Sequence, residues 1–412
     1  GVNALIVQEH IVSLSGSDLE KIILPKIRET RRFRYQFGDH QVEVAKLPFK
    51  INYLASELRL KLELPPEDLE PFNVNIYDDL IPYYAKSAKG PAAFSFGTNY
   101  KLEEVHVNKL DQQNTFSVQT DSFMNFKNIT FENQMNYLSS RNNPWNRQNS
   151  RAVYDLPTRM QRVELGDVTF PVLGYQQSRQ IGGVSYYKDF SLNPYRLSTP
   201  TSSFEYEIET RSLVRTLVNG AIIKTEYMNP GRYSIKDIPL NNGLNRIVIE
   251  ITDDLGKKKI LLFNESSAID SLAPGLSRFA LVSGLPALDN DAGKKYDKTS
   301  GPFISAFYQY GLNNSWSAGS YLQGNKDYHL LGISNVIATN AGNISLDGAE
   351  SKNQYNQGTA VSGNYQLSLF GVNWYDGHSL NAKLEYRSPW FNEGGSNVKN
   401  RYDYSANTSY SV

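Results

Sequence analysis

The chain has 412 residues, with 42 Lys and Arg against 42 Asp and Glu, so overall charge selects neither nucleic acid nor an anionic surface as a partner. It holds no Cys, which excludes disulfide staples and thiol or Cys-based zinc chemistry. Mean hydropathy is −0.47, and no apolar run reaches the length of about 18 residues that a helical membrane span needs; strands that cross a bilayer are not excluded, because only alternate residues must be apolar.

Length alone predicts two or three domains of about 100 to 200 residues each. From the N-terminus, "SGSDLEKIILPKIRET" predicts a helix that Ser17 or Asp18 caps and Pro25 limits or kinks. "INYLASELRLKLELPPEDL" predicts a strand with Leu58, Leu60, Leu62 and Leu64 on one face and Arg59, Lys61 and Glu63 on the other, ended by Pro65 and Pro66. A linker is expected around "YDDLIPYYAKSAKGP".

From about residue 91 the texture changes. "AAFSFGTNYKLEEV" sets Phe94, Phe96, Tyr100 and Leu102 against Ser95, Gly97, Asn99 and Lys101. Segments near 116–137, 151–170, 303–323, 328–348 and 361–374 repeat the alternation with polar tracts between them. Late in the chain, "SLNAKLEYRSPW" places Leu380, Ala382, Leu384, Tyr386 and Trp390 opposite Asn381, Lys383, Glu385 and Arg387. A lipid-facing row opposite a wet lumen has this period, and so does a half-exposed strand of a soluble antiparallel sheet. The succession of such strands without helices favours a closed barrel over an array of soluble sandwiches. The 27 Tyr agree, since Tyr suits a surface with one dry and one wet end.

One stretch breaks this texture. It starts near "PTSSFEYEIETRSLVRTLVNG" and ends after "DDLGKKKILLF", with turn signals at Asn219-Gly220, Pro230-Gly231 and Asn242-Gly243 and the alternating Ile247, Ile249 and Ile251. It predicts a single immunoglobulin-like sandwich inserted between strands of the larger sheet. Lys257, Lys258 and Lys259 read as a solvated edge.

Catalytic signals are lacking. His10, His40, His106, His329 and His378 have no zinc spacing, and no nucleotide or nucleophile motif occurs. Asp289, Asn290 and Asp291 resemble only the start of a calcium loop and read as a solvated hairpin loop. The expectation is no enzyme, no catalytic residue, no cofactor and no metal.

The insert and its flanks resemble the outer-membrane fimbrial ushers of the Gram-negative chaperone-usher pathway. The residues that carry the resemblance are Leu165-Gly166-Asp167 ahead of the insert, then Asn219, Gly220, Pro230, Gly231, Tyr233, Ile235, Asp237 and Ile238 within it. "LAPGLSRFALVSGLP" and "FYQYGLNNSWSAGSYLQGNKDYHLLGISNVIATNAGNISLDGAESK" follow in the same order. The resemblance implies an all-β fold, a transmembrane antiparallel barrel left incomplete in this chain, with the sandwich as a plug that blocks the pore at rest. It implies a periplasmic region and linker over 1–85, first barrel strands over 86–197, the plug over 198–268 and further strands over 269–412. At about 20 residues per strand and turn, some 13 strands fit, so the chain is expected to be the front of a longer protein.

The implied function is assembly and secretion of pilus subunits that a periplasmic chaperone delivers, with partners limited to chaperone-subunit complexes, pilin subunits and outer-membrane lipid. Nucleic acid is not among them, and a homodimer is left open. The plug must move, so Pro194, Pro200, Leu272 and Gly275 are expected hinges, and Arg179 and Gln180, in a hairpin that folds inward, are expected to latch it. Two other readings are a plugged porin for small solutes and a soluble multi-sandwich adhesin.

Overall fold

The computed structural model describes residues 4–7, 10–54, 59–76, 92–106, 115–141, 144–194, 196–241, 243–268, 270–290, 293–339, 341–370, 377–394, 399–400 and 403–411. The expected linker over 77–91 and Asp291 of the calcium-like stretch lie outside them. The chain divides into two units. One comprises Gly1–Leu80, Ser202–Pro239 and Ile247–Phe263; the other comprises Ile81–Thr201, Leu240–Arg246 and Asn264–Val412.

The first unit begins with a small mixed region. Its helix runs Gly16–Ile23, starting earlier than either expected cap allows, and the cap, two residues before Ser17, is Ser15, whose hydroxyl accepts from the Asp18 backbone N–H at 3.4 Å. Asp18 sits instead in the first turn, where the helix dipole favours a negative charge. Leu19 and Ile23, four apart, bury one face against Leu14, Ile27, Tyr35 and Phe49. Pro25 then turns the chain into a single 3-10 turn, Leu24–Lys26. The expected long strand is two, Lys50–Leu54 and Arg59–Glu63, paired antiparallel, and Leu60, Leu62 and Leu64 close the core.

The same unit contains most of the sandwich. One sheet pairs Ser202–Ile208 with Gly231–Ile238; the other has the order Ala221–Met228, Ser212–Val218, Gly243–Asp253, Lys258–Ser267. The hairpin at Asn219-Gly220 forms because both residues take positive φ, 50° and 84°, as a primed two-residue turn demands. Ile247, Ile249 and Ile251 all point into the core, and each such side chain contributes about 1.5–3 kcal/mol by leaving water.

The second unit is one antiparallel meander that runs in chain order from Phe94–Val105 to Tyr404–Ser411, with Gly293–Tyr296 set off the path beside Ser277–Asn290. These two end strands do not pair with each other among the described residues, so the sheet is open. The long excursion of the chain falls between Ile181–Lys188 and Ser277–Asn290, which are themselves hydrogen-bonded neighbours. The sandwich is therefore the content of one loop of the meander.

Alternation gives the sheet two chemically distinct faces. Leu165, Val184, Leu281, Ile304, Tyr308, Leu322, Leu331, Ile333, Leu346, Val361 and Leu384 form an exposed apolar face. Aromatic pairs such as Tyr137–Trp145 and Tyr386–Tyr404, each with ring centroids 5.0 Å apart, add to it. The opposite face carries Glu164, Asp167, Ser185, Ser305, Gln309, Ser317, Gln323 and Ser334, all buried and all polar. Sheets that face lipid on one side and water on the other have this division.

Candidate functional site

The polar face of the second unit is covered by a strap of irregular chain, residues 169–180, between the strands Gln161–Val168 and Ile181–Lys188. Sequence reading expects a hairpin that folds inward at this point. The segment has no strand pairing of its own; its polar groups bond to the wall, so no ladder forms.

Leu173 and Tyr175 anchor the strap in an apolar cluster with Ala280, Phe307, Tyr321, Leu330 and Phe391. Gly174 takes φ +57°, and a Cβ there would lie 2.5 Å from the Tyr321 ring, so only glycine lets the strap approach so closely. Gln176 is buried; its amide donates to Ser305 Oγ at 3.0 Å and to the carbonyls of Ala306 and Leu322 at 3.0 and 2.8 Å, while its oxygen accepts from the Leu173 N–H at 2.9 Å. Gln323 reciprocates on the next residue, accepting from the Gln177 N–H at 3.0 Å and donating to the Gln177 carbonyl at 2.8 Å.

Of the expected latch residues, Arg179 lies over the Phe303 and Tyr328 rings, 5.3 and 5.7 Å from their centroids, and donates to the Gly394 carbonyl at 3.3 Å. The carbonyl of Gln180 accepts from the Ala287 N–H at 2.8 Å.

Beside the strap lies a charge cluster centred on Asp167. Leu165 and Asp167 are two residues apart and should share a face, yet Leu165 is 62% exposed on the apolar side and Asp167 is 1% exposed on the polar side. Gly166, with φ +119°, reverses the pleat between them, and a Cβ there would stand 2.4 Å from the Ser150 carbonyl. Once turned inward, Asp167 accepts from the Ser150 N–H at 2.8 Å, bonds to the Tyr296 hydroxyl, and pairs with Arg147 at 3.3 Å and buried Lys294 at 3.7 Å. These contacts pin the short Gly293–Tyr296 strand to the wall. Glu164, equally buried, meets Arg151 at 3.4 Å and Tyr187 at 3.1 Å.

The expected hinges sit where the chain leaves and re-enters this face. Pro194 is exposed and Pro200 buried. Leu272 is buried, donates its N–H to Ser317 Oγ at 2.8 Å, and is followed by Ala273, whose N–H donates to the Ser198 carbonyl at 2.9 Å. Gly275, at φ +78°, donates to the Gly311 carbonyl at 2.9 Å. Upstream, Asn343 donates to the Ser267 carbonyl at 2.8 Å and Gln309 to that of Asp270 at 3.0 Å. The return linker is thus bonded to the wall along its length.

Within the sandwich, the motif residues divide by role. Asn219 and Gly220 make the hairpin turn. Pro230 and Gly231 start the Gly231–Ile238 strand, where the Tyr233 hydroxyl donates to the Asn229 carbonyl at 2.9 Å. Asp237 occupies the left-handed region, φ 56°, and accepts from Asn75 Nδ2 at 2.8 Å. Asn75 belongs to a strand that sequence reading missed, Phe72–Asn75, because four residues carry too short an alternation to register. Among the described residues no group of three or more His, Asp or Glu side chains could hold a metal ion.

A protein-family model described as "Outer membrane usher protein" matches residues 117–370. The F1 capsule-anchoring protein of Yersinia pestis is 23% identical over 360 residues, which cover 85% of this chain and 41% of that protein. The outer membrane usher protein YehB of Escherichia coli (strain K12) is 23% identical over 281 residues, 66% of this chain and 33% of that protein. The chain therefore spans less than half the length of these curated relatives. In the cryo-EM structure of the E. coli P pilus tip assembly intermediate PapC-PapD-PapK-PapG in the second conformation, one chain shares the fold with a TM-score of 0.55 at 16% identity, over 94% of this chain and 50% of that one.

Proposed function

This chain belongs to the outer membrane usher family and resides in the outer membrane, and from that premise we propose that it assembles and secretes pilus subunits through a pore gated by the inserted sandwich. The observation that carries the reading is topological. The sandwich occupies the loop between two strands that pair with each other, Ile181–Lys188 and Ser277–Asn290, and its two linkers emerge on the polar face of that sheet. A domain tethered in this way interrupts no strand pair of the sheet.

Subunits would arrive bound to a periplasmic chaperone that completes their fold with a borrowed strand, and the next subunit would replace that strand by β-augmentation. Exchange of a loose complement for a better one is downhill, so the chain would act without nucleotide hydrolysis and without enzymatic chemistry. The region before the sheet would face the periplasm and receive the chaperone-subunit complexes. Arg179 and Gln180 stand on the strap at the polar face, where a latch for the plug is expected; Pro194, Pro200, Leu272 and Gly275 flank the domain that would swing.

Planar-bilayer conductance of the intact protein, compared with a variant lacking residues 200–265, tests the gate. A quiet parent and a large steady pore in the deletion are the expected pair of results. Equal conductance from both would rule out the sandwich as the barrier. Capture of a chaperone-subunit complex by the intact protein separates the usher reading from a plugged porin, which would capture none.

A further inference from the structure

We infer that the Phe72–Asn75 strand, together with the Arg28–Glu205–Arg232 ion cluster, is a reversible latch by which the N-terminal region holds the sandwich. The inference rests on the reading that the sandwich moves.

The sheet of Ser202–Ile208 and Gly231–Ile238 ends on the second of these strands, and an open strand edge is a hazard that proteins cover. Phe72–Asn75 covers it in parallel, with Phe72 opposite Tyr233, Asn73 opposite Ser234, Val74 opposite Ile235 and Asn75 opposite Lys236. Side chains reinforce the backbone at both ends. The Phe72 and Tyr233 rings lie 5.6 Å apart, with Tyr206 stacked behind Tyr233 at 6.0 Å. At the far end Asn75 donates to Asp237, which its left-handed backbone turns toward the added strand.

A third contact is electrostatic. Glu205 accepts from Arg232 Nη2 at 2.9 Å and from Arg28, which lies just after the core residue Ile27, while Arg232 also donates to the Glu67 carbonyl at 3.4 Å. One carboxylate of the sandwich is therefore shared between an arginine of its own sheet and an arginine of the N-terminal region. Gly231, Tyr233 and Asp237, all in the sequence motif of the sandwich, gather along the edge that the strand covers.

The contact has the features of a latch more than of a core. It has only four paired residues, Phe72 remains 60% exposed, and the Glu205 side chain is 40% exposed. Short pairing and a solvent-accessible ion cluster give an association that salt weakens. Release would uncover the Gly231–Ile238 edge, which must then find another cover.

The absence of Cys allows a direct test in the intact protein. Phe72→Cys with Tyr233→Cys places thiols at register partners; Phe72→Cys with Tyr227→Cys, on the other sheet of the sandwich, is the control. A short bifunctional thiol cross-linker should join the first pair and leave the second unjoined. Arg28→Glu, added to the first pair, should lower the yield about fivefold, the effect expected of losing a partly exposed ion pair. No cross-link in the register pair, or equal yields in both pairs, would overturn the latch, and an unchanged yield with Arg28→Glu would remove the ion cluster from it. Bilayer conductance of the intact protein and of the variant lacking residues 200–265 separates the two readings: efficient cross-linking of the register pair with equal conductance of those two proteins supports the latch and counts against the gate.

Discussion

The backbone N–H of Ala273 donates to the carbonyl oxygen of Ser198 at 2.9 Å, so the segment that enters the sandwich and the segment that leaves it are tied to each other. Ser317 then ties the pair to the wall through the Leu272 N–H. A swing of the sandwich about Pro194 and Gly275 would have to release this knot first. Ala273→Pro removes the donor, and Ser317→Ala removes the tie with less disturbance to the backbone. Each bond is worth about 1 kcal/mol, so either variant should raise the frequency of spontaneous openings in planar bilayers about fivefold. Recordings as quiet as the parent's would show that the knot does not restrain the gate.

Gln176 holds the strap by its amide, and its removal leaves Ser305 and two wall carbonyls without that donor. Gln176→Leu should cost the strap about 2–3 kcal/mol and let it detach locally while the sheet stays folded. The expected result is faster hydrogen–deuterium exchange at Gln177, whose N–H bonds to Gln323, with the Ser305 and Leu322 strands unaffected. Unchanged exchange would mean that the Leu173 and Tyr175 anchors suffice.

Asp167→Asn leaves Lys294, itself buried, facing a neutral amide. Breaking one side of a buried pair costs about 3–5 kcal/mol. The Gly293–Tyr296 strand should lose its hold on the wall and become sensitive to limited proteolysis near Lys294 and Lys295. Resistance equal to the parent's would assign the pinning to Tyr296 packed on Gly182.

The Glu205 carboxyl is pushed up by partial burial, but hydrogen bonds from Arg28 and Arg232 outweigh this and hold it below its ordinary value. A group depressed on folding stabilises fully above its unfolded pKa, about 4.3 for Glu, and the contribution is lost as pH falls through the lower folded value. The latch should therefore be indifferent to pH at neutrality and weaken only below about pH 4. Exchange of the Asn73 and Val74 amides, corrected for intrinsic rates, should rise there in the parent and not in Glu205→Gln. A rise at neutral pH would point to a different group.

The two faces of the sheet make a paired prediction on one strand, Gln357–Phe370. Val361 is exposed on the apolar side and Asn364 on the polar side. Val361→Arg should cost about 2–4 kcal/mol if placed near mid-bilayer, and reduce the folded protein recovered from outer membranes, whereas Asn364→Arg should be tolerated. Equal recovery of the two would deny that the apolar face meets lipid.

Much of this architecture was legible because strand alternation is a local signal. The rows Leu380, Leu384, Tyr386 and Asn381, Lys383, Glu385 sort onto opposite faces as their order implies, and Asn219-Gly220 turns where a primed hairpin requires it. Against an expected 13 or so strands, the meander counts 14 among the described residues, or 15 with its side strand. What could not be read is what the chain does at long range. Gln176 finds its partners 129 to 146 residues away, and Asn75 finds Asp237 at a separation of 162. The inward turn of Asp167 was hidden for another reason: a single positive φ at Gly166 reverses the pleat, and no period-two pattern reports it. The helix cap was misplaced by two residues or more because Ser15, Ser17 and Asp18 are all good caps and only the start of the core-facing stripe decides among them.

The seam between Ile181–Lys188 and Ser277–Asn290 also bears on how the protein folds. The other pairs along the meander close over turns or over connections far shorter than a domain, such as the strap 169–180, but this one must wait for two ends of chain separated by an entire domain. The entropy of closing a loop grows with its length, and contacts of high sequence separation slow folding. If the sandwich collapses first, it draws its own ends together at Ser198 and Ala273, and the long closure becomes a short one. The domain that would later obstruct the pore would then serve, during biogenesis, as the splint that lets the two halves of the wall find each other.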